Sequence, residues 1–233
     1  MKCIILAGGK GTRLTPLTDN LPKPLIEIGG IPILYHIIQR LRMQGVEDFV
    51  VAGGYKWEMI RNYVAKYPMS GANVVVEDTG LESLTGERLK MVAPKDGEII
   101  VTYGDDISNI DIRKTIKRHK EAIVRPCITI TAARAQSNWG HLEIDRFTTQ
   151  VVAFKEKPYL NDWINAGNWV LDSKLCETIR SETLEQWCTR ILNSTAVNVA
   201  LYDGFFCGMN TYADYIHLND LWDKYQDWQK VSL

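Results

Sequence analysis

Short, continuous apolar runs alternate in the first part of the chain with segments whose apolar positions recur every three or four residues. The continuous runs are rich in isoleucine and valine and are bounded by glycine or charged residues, which is typical of strands buried on both faces. We predict such strands over Lys2–Leu6, Asp48–Ala52, Asn73–Val76, Glu98–Thr102 and Cys127–Ala133.

The clearest helical periodicity lies in Ile31–Gln44. Pro32 suits the first turn of a helix and Gly45 suits its end. The apolar residues of this segment fall on one stripe, formed by Ile33, Leu34, Ile37, Ile38 and Leu41. Two further helices are predicted in this part of the chain, Lys56–Lys66 and Ile110–Lys120.

The pattern changes after Ala133. Gly140–Asp145 and Gln150–Phe154 are predicted to form a hairpin, and Ile164–Leu171 a further strand. Alternating strands and helices with apolar strands predict an α/β fold with a doubly wound, mostly parallel, Rossmann-like sheet. The hairpin is expected to add an antiparallel portion to that sheet. Helices are predicted over Leu184–Leu192 and Tyr212–Trp228.

Composition and charge exclude several classes of protein. The 233 residues are 45% hydrophobic and 24% charged, which excludes whole-chain disorder. A net charge of −1 gives no sign of nucleic-acid binding, and no apolar run approaches the ~18–20 residues of a membrane helix. The five cysteines lack metal-ligand spacing, so we expect free thiols in a reducing cytoplasm. The apolar stretch at the N-terminus is short and ends in glycines, so we expect no secretory leader.

A glycine-rich loop, Gly8-Gly9-Lys10-Gly11-Thr12-Arg13, directly follows the first predicted strand. Such a backbone turns sharply, and its successive N–H groups can surround phosphate oxygens. Arg13 adds a planar cation suited to phosphate. The loop matches neither the P-loop nor the GxGxxG dinucleotide pattern, so a nicotinamide-dependent dehydrogenase is not expected. Ten residues later, two prolines flank Lys23 and restrict the reach of its ammonium group.

The segments GGKGTRL and PKPLIEIGG resemble those of the sugar-1-phosphate nucleotidyltransferases, which join a nucleoside triphosphate to a sugar 1-phosphate and release pyrophosphate. The resemblance extends over nearly the whole chain, through Val101–Asp105, Phe154–Pro158 and Trp163–Gly167. Glu77–Leu89 is similar to a segment of the glucose-1-phosphate cytidylyltransferases, with Ser83 in place of its middle threonine. This branch implies CTP as the donor and glucose 1-phosphate as the acceptor.

The resemblance implies a role for each matching residue. Arg13, Lys23 and Asp105 are the expected catalytic residues, and a homo-oligomer is expected. Glu156, Lys157 and Asn165 are expected to bind the sugar phosphate. The chain is expected to be one domain, 1–233, with a nucleotide-binding part at 1–135 and a sugar-phosphate-binding part at 136–233. The expected nucleotide-binding residues are Leu6, Ala7, Gly8, Gly9, Gly11, Thr12, Arg13, Lys23, Ser83, Arg88 and Gly104.

The chain departs from the family at the second ligand of the expected Mg²⁺. Asp105 matches the first ligand, but Asn210 stands where the family has an aspartate. An amide oxygen can bind Mg²⁺ without adding negative charge. Three interpretations stay open: weaker binding of Mg²⁺ or use of another divalent ion, substitution by another carboxylate such as Asp214, or nucleotide binding without turnover. Two alternative functions stay open: a transferase using another nucleotide such as GTP or UTP, or another phosphorylated acceptor, and, because of Asn210, a non-catalytic nucleotide-binding regulatory protein.

Overall fold

The computed structural model describes residues 1–137 and 139–231. Its strands, numbered in chain order, are β1 Lys2–Ala7, β2 Glu27–Ile28, β3 Ile31–Pro32, β4 Asp48–Gly53, β5 Asn73–Asp78, β6 Glu98–Tyr103, β7 Asp106–Ser108, β8 Cys127–Gln136, β9 His141–Ile144, β10 Val151–Lys155, β11 Tyr159–Asp172, β12 Ala196–Tyr202 and β13 Phe206–Gly208. The helices are α1 Leu17–Asn20, α2 Ile33–Met43, α3 Trp57–Lys66, α4 Thr85–Val92, α5 Ile112–Lys120, α6 Leu184–Ile191 and α7 Tyr212–Tyr225.

A seven-stranded sheet in the order β12-β8-β11-β6-β1-β4-β5 forms the centre of the molecule. Neighbouring strands are parallel except at β11, which runs antiparallel to both β6 and β8. The predicted mostly parallel α/β sheet is thus confirmed. The predicted hairpin forms, but β9 and β10 make a separate two-stranded sheet, and β11 supplies the antiparallel strand of the main sheet.

Both faces of the sheet are covered, which explains the continuous apolar runs. In β1, Cys3 and Ile5 belong to one core cluster with the α2 stripe, while Ile4 and Leu6 face the opposite cluster with Trp169 and Trp187. Alternate side chains of a strand point to opposite faces, so a strand buried on both sides has no polar alternation. Among the described residues, no helix combines the length and apolar character needed to cross a membrane.

Several elements differ from the predictions. The strand β12 and the helix α4 were not predicted, and the last helix ends at Tyr225 rather than Trp228. Gln226 follows it with φ of 53°, in the left-handed region that ends helices. The chain then turns so that Trp228 packs beside His36, whose Nδ1 accepts a hydrogen bond from the indole N–H at 3.1 Å.

Candidate active site

The glycine loop opens a cavity of about 520 Å³ at the carboxyl ends of β1 and β6. In open parallel sheets, ligands bind at this edge. Every residue expected to bind nucleotide or metal lies in the wall of the cavity: Leu6, Ala7, Gly8, Gly9, Gly11, Thr12, Arg13, Lys23, Ser83, Arg88, Gly104, Asp105 and Asn210. Residues far apart in sequence therefore converge on one cleft large enough for a nucleotide.

The loop backbone is held in a conformation that needs glycine at two positions. Gly11 has φ of 65°, and its carbonyl accepts a hydrogen bond from the Thr18 hydroxyl at 3.0 Å. A Cβ on Gly8 would collide with the Arg88 guanidinium. The loop thus keeps its open shape by a left-handed turn and by close packing on a buried arginine.

Arg88, only 3% exposed, donates hydrogen bonds to the loop and to the segment before α4. Its Nη2 bonds Gly8 O at 3.3 Å and Leu81 O at 3.1 Å. Its Nη1 bonds Gly53 O at 3.0 Å, and Gly80 O and Thr79 Oγ1 at 2.7 Å each. Burial lowers the pKa of this guanidinium, and nearby acidic side chains oppose that shift.

Four polar side chains meet at the floor of the cavity. The Lys23 ammonium forms an ion pair with Asp105, and its Nζ lies 3.5 Å from Asn210 Oδ1. The same amide oxygen accepts a hydrogen bond from Arg13 Nη2 at 3.0 Å. The pairing of β7 with β13 explains this meeting, because it aligns Gly208 with Asp106 and so carries Asn210 beside Asp105.

The oxygens of Asp105 and Asn210 both face the Lys23 ammonium, which shows that they converge on a point where positive charge is favoured. Hard oxygen ligands, with one or two carboxylates completed by phosphates, are what Mg²⁺ takes in nucleotide sites. The residues present therefore fit this ion. Asp214 lies behind Asn210 and caps α7, because its Oδ2 accepts hydrogen bonds from Asn210 N at 2.9 Å and Thr211 N at 2.7 Å.

A further carboxylate, Asp106, lies at the inner edge of this cluster and is 9% exposed. A Cβ on Gly167 would collide with its Oδ2, and a Cβ on Gly208 would lie 2.9 Å from its Oδ1 and from Asn210 Nδ2. Burial, and then the charge of Asp105, raise the pKa of Asp106 well above its usual value. The chain thus approaches this carboxyl closely at Gly167 and Gly208, where a side chain would not fit.

The sequence profile described as "Nucleotidyl transferase" matches residues 2–222. The chain belongs to this family. Glucose-1-phosphate cytidylyltransferase of Salmonella typhi is 37% identical to this nucleotidyl transferase, over 96% of each chain. Mannose-1-phosphate guanyltransferase of Debaryomyces hansenii is 34% identical over 77% of this chain and 52% of that protein. A solved putative glucose-1-phosphate thymidylyltransferase of Bacillus anthracis shares the fold, with a TM-score of 0.74, 19% identity and coverage of 100% and 97%.

The sugar-phosphate residues expected of this nucleotidyl transferase lie apart from the cavity wall. Glu156 and Lys157 are exposed beyond β10, and Lys157 has φ of 44°. Asn165 is exposed on β11, where its Oδ1 accepts hydrogen bonds from Gly167 N and Trp169 Nε1, each at 3.0 Å. None of these three is among the described residues that line the cavity.

One wall of the nucleotidyl transferase cavity was not predicted from the sequence. Thr85 of α4 and Thr183, the N-cap of α6, line it together with Tyr103 at the end of β6. The Tyr103 hydroxyl donates to the Glu185 carboxylate, and Leu184 N donates to Thr85 Oγ1 at 2.9 Å, so α6 closes over the cavity. The sequence offered one signal for this wall: Tyr103 directly precedes Gly104 and Asp105, which were both predicted to lie in the site.

Proposed function

We propose that this nucleotidyl transferase joins CTP to a sugar 1-phosphate, glucose 1-phosphate in the first instance, and releases pyrophosphate. The observation that carries the proposal is the convergence of Arg13, Lys23 and Asp105 on the glycine-loop cavity. The choice of CTP is supported by the cytidylyltransferase relative at 37% identity, which matches nearly the full chain. The division into nucleotide-binding (1–135) and sugar-phosphate-binding (136–233) parts belongs to the proposal.

The reaction is an in-line attack by an acceptor phosphate oxygen on the α-phosphorus of CTP. The oxygen–phosphorus bond forms as the bond to pyrophosphate breaks, and the nucleophile is already ionised, so no general base is needed. The residues act by positioning and by charge stabilisation. Loop N–H groups and Arg13 hold the triphosphate, and Lys23 neutralises charge at the α-phosphate during attack.

Magnesium is part of the proposal, held by Asp105 and Asn210. When bound, the ion would neutralise phosphate charge and draw the triphosphate into one conformation. Glu156 and Asn165 are proposed to bind sugar hydroxyls, and Lys157 the acceptor phosphate. None of these three lines the cavity wall, so the proposed acceptor site lies beside the nucleotide cavity rather than within it.

Pyrophosphate release with Mg²⁺, glucose 1-phosphate and each of CTP, UTP, GTP, ATP and dTTP tests the function. We expect release mainly with CTP. Release with GTP or UTP would keep the chemistry and replace the donor. The proposed reaction would be contradicted if no pyrophosphate were released with any of the five nucleotides, and again none with a panel of sugar phosphates as acceptors.

The Asn210→Asp variant is expected to lower the Mg²⁺ concentration that gives half-maximal rate. A carboxylate beside Asp105 attracts a divalent ion more strongly than an amide does. The rate is measured over a Mg²⁺ titration at saturating CTP, and Asp223→Asn on the exposed side of α7 serves as the control. An unchanged metal dependence would count against direct ligation by residue 210.

A non-catalytic nucleotide-binding protein is the second candidate function, and Asn210 is the observation that favours it. The two functions differ in one measurement. CTP binding by calorimetry without pyrophosphate release, in the native chain and in Asn210→Asp alike, would support the regulatory function. Pyrophosphate release in Asn210→Asp but not in the native chain would show that the native site is otherwise intact and lacks only the negative charge of a carboxylate at residue 210.

We also propose a homo-oligomer in a reducing, cytoplasmic setting. The five cysteines are free thiols, which suits that setting. The β9–β10 hairpin supports an oligomer, because its large apolar side chains are exposed on both strands and in the turn between them, and such patches favour contact with another chain. These side chains are Leu142, Ile144, Phe147, Val151, Val152 and Phe154. Light scattering of the native chain and of Phe154→Ser checks the proposal, which predicts a smaller species for the variant.

A further inference from the structure

A second cluster of chemically active side chains lies at the other end of the sheet from the cavity. Glu98 begins β6, Cys127 begins β8, and Asp172 ends β11 between them. Asp172 pairs with Glu98 in register, and Cys127 N donates to Asp172 Oδ2 at 2.7 Å. Asp105 lies seven positions after Glu98 along mostly extended chain, which places the cluster about 20 Å from this metal ligand of the cavity.

His119, near the end of α5, covers this cluster and has no exposed surface. Its Nδ1 lies 3.1 Å from Thr129 Oγ1 and 3.6 Å from Cys127 Sγ. Its Nε2 is buried without a hydrogen-bond partner among the described residues. That nitrogen faces Glu98 Oε1 at 3.9 Å and Asp172 Oδ2 at 4.0 Å, distances too long for hydrogen bonds.

In the described part of the chain, the unpartnered His119 Nε2 and the two carboxylates form a group of electron-pair donors between which a further cation would be favoured. A neutral imidazole carries its proton on one ring nitrogen and presents a lone pair on the other. With its proton on Nδ1, Nε2 presents a lone pair to two carboxylates that themselves lie opposite each other on neighbouring strands. A buried polar nitrogen left without a partner costs about 1–3 kcal/mol. A metal ion would satisfy the nitrogen and both carboxylates at once.

The geometry and charge suit a divalent ion. One ligand atom each from His119, Cys127 and Asp172 lie within 4.8 Å of one another. Two ligands on one zinc ion, with bonds of about 2.0–2.3 Å, lie at most about 4.6 Å apart. Arg125 offsets one of the two carboxylates by bonding Glu98 Oε1 and Asp172 Oδ1, each at 2.7 Å. The cluster then carries one net negative charge, and a divalent ion that displaces the thiol proton into solvent makes it neutral.

We propose that His119, Cys127 and Asp172 form a binding site for a thiophilic divalent cation such as Zn²⁺. Imidazole, thiolate and carboxylate are the ligand set that such ions take, and Glu98 or water completes the coordination. The side chains of Glu98, Asp172 and Arg125 are partly exposed, which gives an ion a path from solvent. The bound ion links α5 to the ends of β8, β11 and β6. The proposed site does not depend on the proposed transferase activity.

Titration of the chelator-treated full chain with Co²⁺ tests the site. Thiolate bound to Co²⁺ gives a near-ultraviolet charge-transfer band, whereas Co²⁺ bound to the oxygens of the nucleotide cavity does not. We expect the band to saturate at one ion per chain and to vanish in Cys127→Ser. Cys188→Ser is the matched control, a buried cysteine on α6, and is expected to keep the band.

A second readout covers the case in which Cys127→Ser does not fold. Zn²⁺ at 100 times its dissociation constant should raise the unfolding midpoint by about 5–10 °C in the native chain. His119→Asn keeps a donor near Thr129 and removes Nε2, so it should lose this rise. A folded native chain without the Co²⁺ band, or a band that persists in Cys127→Ser, would overturn the proposal and leave an ion-pair network centred on Arg125.

Discussion

Replacing Lys23 with methionine is expected to lower kcat for pyrophosphate release by about 10²–10³-fold. The ammonium lies at the floor of the cavity, paired with Asp105 and close to Asn210. Its side chain is only 13% exposed, so water screens its charge poorly. Because both reactants are anions, a fixed positive charge at the α-phosphate stabilises the transition state more than the ground state.

The partition between kcat and KM distinguishes this role from simple binding. We expect KM for CTP to rise much less than kcat falls, because the loop N–H groups and Arg13 still hold the triphosphate. Lys117→Met, an exposed lysine on α5 paired only with Glu121, is the control and should leave both constants unchanged. A Lys23→Met variant that binds CTP weakly but turns over at the native rate would assign Lys23 to binding alone.

The sequence predicted most of the central sheet because its strands are apolar on both faces. It failed where that signal was weak. The strand β12 lies at the sheet edge and leaves Val199 and Leu201 exposed, so it lacks a clear core pattern. The helix α4 begins Thr85-Gly86, two poor helix formers, and its N-terminus is fixed by Glu87, whose carboxylate accepts from Leu84 N at 2.7 Å.

The candidate site was predictable as far as it depends on short motifs at strand ends. The glycine loop, Lys23 and Asp105 each follow a recognisable signal, and they meet because β1 and β6 are parallel neighbours. Contacts between distant segments gave no such signal. The cysteines show no metal-ligand spacing in sequence, yet pairing of β8 with β11 brings Cys127 against Asp172, and α5 places His119 over both.

The contacts of Arg88 with distant segments were likewise not predictable from the sequence. Replacing Arg88 is expected to have the second large effect. The resemblance predicted that Arg88 binds the nucleotide. Its guanidinium lines the cavity but donates to Gly8, Gly53, Gly80 and Leu81 carbonyls. Direct contact with the nucleotide thus stays a prediction, while support of the cavity wall follows from the hydrogen bonds.

Arg88→Met is expected to lower the free energy of unfolding by about 3–5 kcal/mol, measured by urea denaturation without ligand. Gly8 O also accepts from Tyr55 N at 3.0 Å, and Gly53 O from Thr79 N at 3.0 Å, so these carbonyls stay paired. Among the described residues, Gly80 O and Leu81 O have Arg88 as their only hydrogen-bond donor. The loss is therefore mainly that of the part-buried hydrogen bonds to Gly80 and Leu81 and of the packing of Arg88 against Gly8.

A second variant, Arg88→Lys, separates support of the loop from contact with the nucleotide. If Arg88 acts by holding the backbone, Arg88→Lys should recover part of the stability, because one ammonium can still bond carbonyls at 80 and 81, and KM for CTP should recover in proportion. If Arg88 instead binds the base, Arg88→Lys would restore stability but leave KM high, since an ammonium lacks the fork of a guanidinium.

Arg118→Met, an exposed arginine on α5, controls for the loss of a positive charge and should change neither quantity. A native urea midpoint for Arg88→Met would contradict the supporting role, because five hydrogen bonds, three of them buried, cannot be lost from a packed wall without weakening it.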